Sequence, residues 1–205
     1  MLKSDGFDLW ADGYDQSVGL SDAQDTYPFA GYRQVLDTIY GRIRQDGRIH
    51  RIADVGVGTA VLARRLYGDG YAISGLDFSP RMLEIARERM PRAALLCHDL
   101  TEGFPAAWAD HRFDCIISTY ALHHLTDGQK ADFLAQCLLH APLVLIGDVA
   151  FPDSAAQEAC RRLAGEEWDD DEHYFVVDRQ AFPTDATVAF EPCSHCAGVI
   201  ELARK

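Results

Sequence analysis

The sequence predicts an α/β fold: a doubly wound, mostly parallel sheet with helices on both faces and an antiparallel hairpin at one edge. Three observations predict it. Five short apolar runs, at 49–55, 71–77, 93–98, 113–119 and 142–149, alternate with segments of helix length, as buried parallel strands joined by crossovers do. The first run passes into a helical pattern through a turn with two glycines two apart, within "RIADVGVGTAVLARRL" at 51–66. Near the C-terminus, "ATVAFEPCS" and "CAGVIELAR" lie so close together that they pair only as antiparallel neighbours.

With 205 residues, 48% of them hydrophobic and 25% charged, the chain is expected to fold as one domain over 1–205 around one core. Residues 1–48 read as an N-terminal helical cap. In "FDLWADGYDQSV" the residues Phe7, Trp10, Ala11, Tyr14 and Val18 share one side of a helix. A second helix is expected to start near Pro28, with Phe29, Tyr32, Val35, Ile39 and Ile43 on its apolar face and "DG" at 46–47 ending it. Residues 49–150 carry the strand and helix alternation. There Ser79 and Pro80 open a helix that Pro91 closes, and Thr126 with Gln129 makes a capping box for the next. Residues 151–185 hold a helical segment and the acidic, aromatic stretch "GEEWDDDEHYFVVD", read as lid-like. Residues 186–205 form the hairpin.

Acids outnumber bases 32 to 19, a formal charge of -13 that repels a phosphate backbone, so no nucleic-acid partner is expected. "MLKSDGFDLW" has no apolar signal core and the longest apolar run, "APLVLIG" at 141–147, is far short of a bilayer span. A cytoplasmic protein without a membrane partner is the expectation. Cys97, Cys115, Cys137 and Cys160 sit in apolar patterns where free thiols act as small buried hydrophobes. Cys193 and Cys196 in "CSHC" have a metal-like spacing, yet no second pair follows, so no metal is expected there.

A glycine turn between a first strand and a first helix is where such sheets bind nucleotides, because glycine lets the backbone approach the ligand. A dinucleotide fingerprint needs a small residue at the sixth position, where Val61 stands, and no Gly-Lys-Ser or Gly-Lys-Thr follows for a phosphate loop. The second strand ends "SGLDFSP", so Asp77 can accept hydrogen bonds from both hydroxyls of a ribose, in NAD as well as in other adenosines. The third ends "LLCHDL", setting Asp99 to accept from an adenine amine. The fourth, "FDCIISTYALHHL", delivers Ser118, Tyr120, His123 and His124 to the same rim.

Through "ADVGVGTA", "GLDFSP", "CHDL" and "FDCIISTYALHHLTD" the chain resembles the class I S-adenosylmethionine-dependent methyltransferases, and with "FDLWADGYDQSV" it looks most like the small bacterial YrrT-like group. The resemblance implies a Rossmann-like seven-stranded sheet in the order 3-2-1-4-5-7-6 with strand 7 antiparallel. It implies S-adenosylmethionine as cofactor and a small-molecule methyl acceptor. Gly56, Asp77 and Asp99 match the family's cofactor-binding positions, Asp54 and Gly58 complete the glycine motif, and Phe78, Leu100 and Ser118 join that set. Ala60 departs from the pattern, standing where glycine is usual.

The sulfonium methyl group is already activated, so a base matters only for acceptors protonated at working pH; His123, His124 and Tyr14 are the candidates. The histidine pair has a structural alternative, capping or packing the loop, and Asp99 has one as a turn cap. Trp10 and Tyr14 are candidates to cover the cofactor with aromatic faces, or else simply pack their helix. If 151–185 is a lid, an acceptor pocket with aromatic walls and acids at its mouth suits a cationic or amine-bearing molecule. The runner-up readings are an NAD-dependent oxidoreductase and a non-catalytic protein that binds S-adenosylmethionine or S-adenosylhomocysteine.

Overall fold

The structure, a computed structural model, describes residues 21–205; the expected first helix with Trp10 and Tyr14 lies outside them. Helix α1 spans Tyr32–Gln45, and the core then alternates β1 (Arg51–Val55), α2 (Ala63–Gly68), β2 (Ala72–Asp77), α3 (Pro80–Arg89), β3 (Ala94–Cys97), β4 (Cys115–Thr119), α4 (Asp127–His140) and β5 (Leu143–Phe151). Helix α5 (Ser154–Ala164), the short β6 (Phe175–Val176) and the strands β7 (Ala186–Pro192) and β8 (Ala197–Arg204) complete the chain.

The sheet runs β3-β2-β1-β4-β5-β8-β7. Strands β1 to β5 pair in parallel, and β8 is antiparallel to both β5 and β7. This is the expected path with its antiparallel hairpin. The last two strands take higher numbers because β6, which was not foreseen, pairs in parallel with Ala150 and Phe151 at the end of β5. Period-two alternation sends neighbouring residues to opposite faces. Ile52, Ile117, Leu145 and Val149 pack with Val35 and Ile39 of α1 and Leu83 of α3, whereas Val55, Ile116, Val144 and Ile146 pack with Phe133, Leu134 and Leu138 of α4.

The expected caps are present. The Ser79 hydroxyl accepts from the Met82 N–H, and Thr126 and Gln129 exchange side-chain and backbone hydrogen bonds at the start of α4. Two expectations are corrected. The second helix starts at Tyr32 rather than near Pro28, because Gly31 takes a left-handed φ of 75° in front of it, and a Cβ there would lie 2.8 Å from the Ser194 Cβ. Cys97 is exposed rather than buried, since β3 is an edge strand with few covered positions. Among the described residues, no helix is long and apolar enough to cross a membrane.

Candidate active site

The glycine turn leaves β1 through Gly56 at φ 73° and Gly58 at φ 52°, and Ala60 also takes a left-handed φ of 66°. The backbone N–H groups of Gly56 and Val57 both donate to the Leu76 carbonyl, at 2.9 and 2.8 Å, which ties the turn to β2. A Cβ on Gly56 would sit 2.3 Å from the Ala121 Cβ, so that position excludes any side chain. Around Gly58 a Cβ would meet nothing within 4 Å: the turn opens there onto a cleft of about 810 Å³. Although Ala60 replaces a glycine, its methyl group is buried and the turn keeps the left-handed geometry.

Two carboxyls stand at the strand ends behind this turn. Asp77 Oδ2 accepts from the Gly58 N–H and Oδ1 from the Ser79 N–H, each at 2.9 Å. Burial raises its pKa, partly opposed by those N–H donors. Asp54 is 2% exposed, and its Oδ1 has no hydrogen-bond partner among the described residues. Burial, and then repulsion from Asp77, push Asp54 up to about 7. Asp99, at the end of β3, accepts at 2.8 Å from both the backbone N–H and the hydroxyl of Thr101. It thus caps a turn and lines the cleft together; Phe78 and Leu100 line it as well.

The fourth strand supplies the opposite wall. Tyr120 holds φ 51° in the left-handed region, unusual for a bulky residue, and its buried hydroxyl has no partner among the described residues. Its ring packs 5.1 Å from Tyr32 and 5.4 Å from Phe29, centroid to centroid. His124 lines the cleft, with Nδ1 at 2.9 Å from both oxygens of Glu172. The His124 bonds hold the Glu172 carboxyl below its usual pKa despite burial, which acts the other way.

Not every predicted residue meets the cleft. Ser118 is buried beneath the wall and donates its hydroxyl to the Val55 carbonyl at 2.9 Å. His123 turns away, its Nδ1 2.6 Å from Asp148 Oδ1. Burial opposes its charge, but the Asp148 carboxylate outweighs burial and raises its pKa; Asp148 is lowered in turn against its own burial. The two form a buried hydrogen-bonded pair that latches the loop after β4 onto β5, and Asp148 Oδ2 also accepts from the Leu122 N–H. Glu172 was missed as an individual residue, although the acidic run around it was singled out. So were Thr59, His98 and Glu102, which also line the cleft.

A family model described as a methyltransferase domain matches residues 52–140. A methyltransferase of Geobacillus thermodenitrificans, described as uncharacterized, is 34% identical over 184 residues, covering 85% of this chain and 82% of that protein. One from Geobacillus kaustophilus is 36% identical over 74% of this chain and 69% of its own. Among solved structures, magnesium protoporphyrin IX methyltransferase from Synechocystis with bound SAH matches 86% of this chain and 85% of that one at TM-score 0.65 and 14% identity. The DhpI–SAH complex matches 98% and 94% at TM-score 0.65 and 15% identity. At these identities the structural likeness speaks to the fold.

Proposed function

The chain belongs to the class I S-adenosylmethionine-dependent methyltransferases, and we propose that it methylates a small, uncharged or amine-bearing acceptor seated beside the His124–Glu172 pair. The observation that carries this reading is the His124 ring on the cleft wall, fixed through Nδ1 by both Glu172 oxygens. The charge of the cleft supports it. Among the described lining residues there are four acids, Asp54, Asp77, Asp99 and Glu102, and no Lys or Arg, so an anionic acceptor would meet repulsion without a partner.

S-adenosylmethionine is the family's cofactor, and the site's own features fit it. Gly58 opens the turn, and Asp54 offers a buried oxygen without a donor among the described residues, suited to the ammonium of an amino acid. In this reading Asp77 accepts from the ribose hydroxyls and Asp99 from the adenine amine, with Phe78 and Leu100 against the base. When bound, the cofactor supplies a methyl group already activated on a sulfonium. The protein's residues then align the acceptor, exclude water and receive its proton. His124 would take that proton at Nε2, with Nδ1–H donated to Glu172 so that the carboxylate stabilises the imidazolium.

Calorimetry against S-adenosylmethionine, S-adenosylhomocysteine and NAD, followed by turnover with a panel of amines, phenols and thiols, tests the reading. His124→Ala is expected to lower kcat by about 10²–10⁴ while the affinity for S-adenosylhomocysteine holds. An unaltered rate constant would return His124 to a packing role. Binding of NAD alone would overturn the transferase reading, and cofactor binding without turnover across the panel would favour a sensor.

A further inference from the structure

The fold gathers a second set of chemically capable side chains outside the cleft. Cys160 is the one buried residue of α5, and His195 and Cys196 sit on the turn between β7 and β8, about 35 residues further along the chain. One ligand atom from each, two Sγ atoms and an imidazole nitrogen, all lie within 4.8 Å of one another. None of the three lines the cleft. We propose that Cys160, His195 and Cys196 form a zinc site that clamps α5 to the β7–β8 turn.

The geometry suits that ion. Zinc takes thiolates at about 2.3 Å and imidazole at about 2.0–2.1 Å in a tetrahedron, so neighbouring ligands stand roughly 3.5–3.8 Å apart. A cluster already within 4.8 Å needs only small side-chain adjustments to close around it. Two soft sulfurs and a borderline nitrogen select zinc over magnesium or calcium, which take oxygen ligands. Three protein ligands leave one position for water.

The supports of the ligands are built. The Ser194 hydroxyl accepts from the N–H groups of Cys196 and Ala197, at 3.2 and 3.0 Å, and donates to the Ala30 carbonyl at 2.6 Å, which fixes the turn carrying both ligands. Cys193 and Ser194 N–H groups both donate to the Ala197 carbonyl. The spacing of Cys193 and Cys196 points to the wrong partner: Cys193 Sγ faces Thr38 Oγ1 at 3.9 Å instead, and the third ligand comes from α5. A disulfide between Cys160 and Cys196 is the rival use of these sulfurs, and it would give His195 no part.

The test is zinc content of the full-length protein after equilibration with zinc chloride under reducing conditions and desalting, read by mass spectrometry of the metal. The wild type is expected to retain about one zinc per chain, with Cys193→Ser unchanged. Cys160→Ser and Cys196→Ser should lose it, and His195→Ala, at a partly exposed position that is safe for folding, should weaken binding by about 10-fold or more. Far-UV circular dichroism of each variant separates metal loss from unfolding. Cobalt(II) in place of zinc should give the thiolate charge-transfer band of a tetrahedral site in the wild type, absent in Cys196→Ser. No metal on the wild type, equal retention by His195→Ala, or a Cys160–Cys196 disulfide in protein handled without reductant and unaffected by zinc would each overturn the proposal.

Discussion

Asp77 does two jobs with two oxygens, and its backbone partners set what a substitution can teach. Both Gly58 and Ser79 donate N–H groups to it, so Asp77→Ala would strand two donors as well as remove the carboxylate. Asp77→Asn keeps an acceptor for one of them. It is expected to remain folded and to weaken S-adenosylmethionine and S-adenosylhomocysteine alike by about 10–100-fold, the worth of charge-assisted bonds to ribose hydroxyls. Unchanged affinity in calorimetry would remove the ribose role. Residues fixed to strand ends were legible from sequence in this way: the register that sets Asp77, Asp99 and Gly56 at the rim follows from short apolar runs and a turn. Ser118 and Glu172 were not. A strand residue one position short of the rim faces into the sheet, where Ser118 finds the Val55 carbonyl. Glu172 reaches His124 from 48 residues away and lies in a stretch that has no periodicity of its own.

At the scale of elements, the buried pair His123–Asp148 joins the loop after β4 to β5 beneath the His124 that faces the cleft. His123 has a raised folded pKa, so its contribution to stability is present below its unfolded value of about 6.5 and fades as pH rises through the folded value. Asp148 is lowered, so its contribution is present above its unfolded value of about 3.9 and fades as pH falls through the folded value. The latch therefore holds best from mildly acidic to neutral pH and weakens on both sides. Asp148→Asn is expected to cost about 1–3 kcal/mol in urea unfolding near pH 6, because the buried His123 then gives up its proton and loses its charge-assisted bond, and to flatten the alkaline loss of stability. A variant as stable as the wild type would show that the loop does not depend on the pair. The helices were more readable than such latches. Ser79, Pro80, Thr126 and Gln129 act on their own first turns, so local sequence suffices. The start of α1 was misread because Gly31 adopts its backbone against Ser194, a contact from the far end of the chain. Strand β6 escaped notice for a related reason, being two residues long and defined only by its pairing with β5.

For the whole molecule, a net charge of -13 and a cleft whose described lining holds four acids but no Lys or Arg favour a cationic ligand, and the Asp54 carboxyl makes that preference depend on pH. Burial, then Asp77, raise Asp54 to about 7 without ligand. Its proton thus stabilises the fold below its unfolded pKa of about 3.9, and that contribution is lost as pH rises through about 7. Asp77, raised in the same direction, adds to the trend. An ammonium group beside Asp54 Oδ1 reverses the cost of ionisation, so binding should expel a proton wherever the free protein still holds one. Affinity for S-adenosylhomocysteine is then expected to rise by up to about tenfold per pH unit below neutrality and to level off above it. Adenosine, which has no amino-acid part, should bind with little dependence on pH, and Asp54→Asn should flatten the profile of S-adenosylhomocysteine to match. Calorimetry in buffers of different ionisation enthalpy would read the released proton directly. A flat wild-type profile, or one that Asp54→Asn leaves unchanged, would mean that the Asp54 carboxyl does not meet the ligand's ammonium.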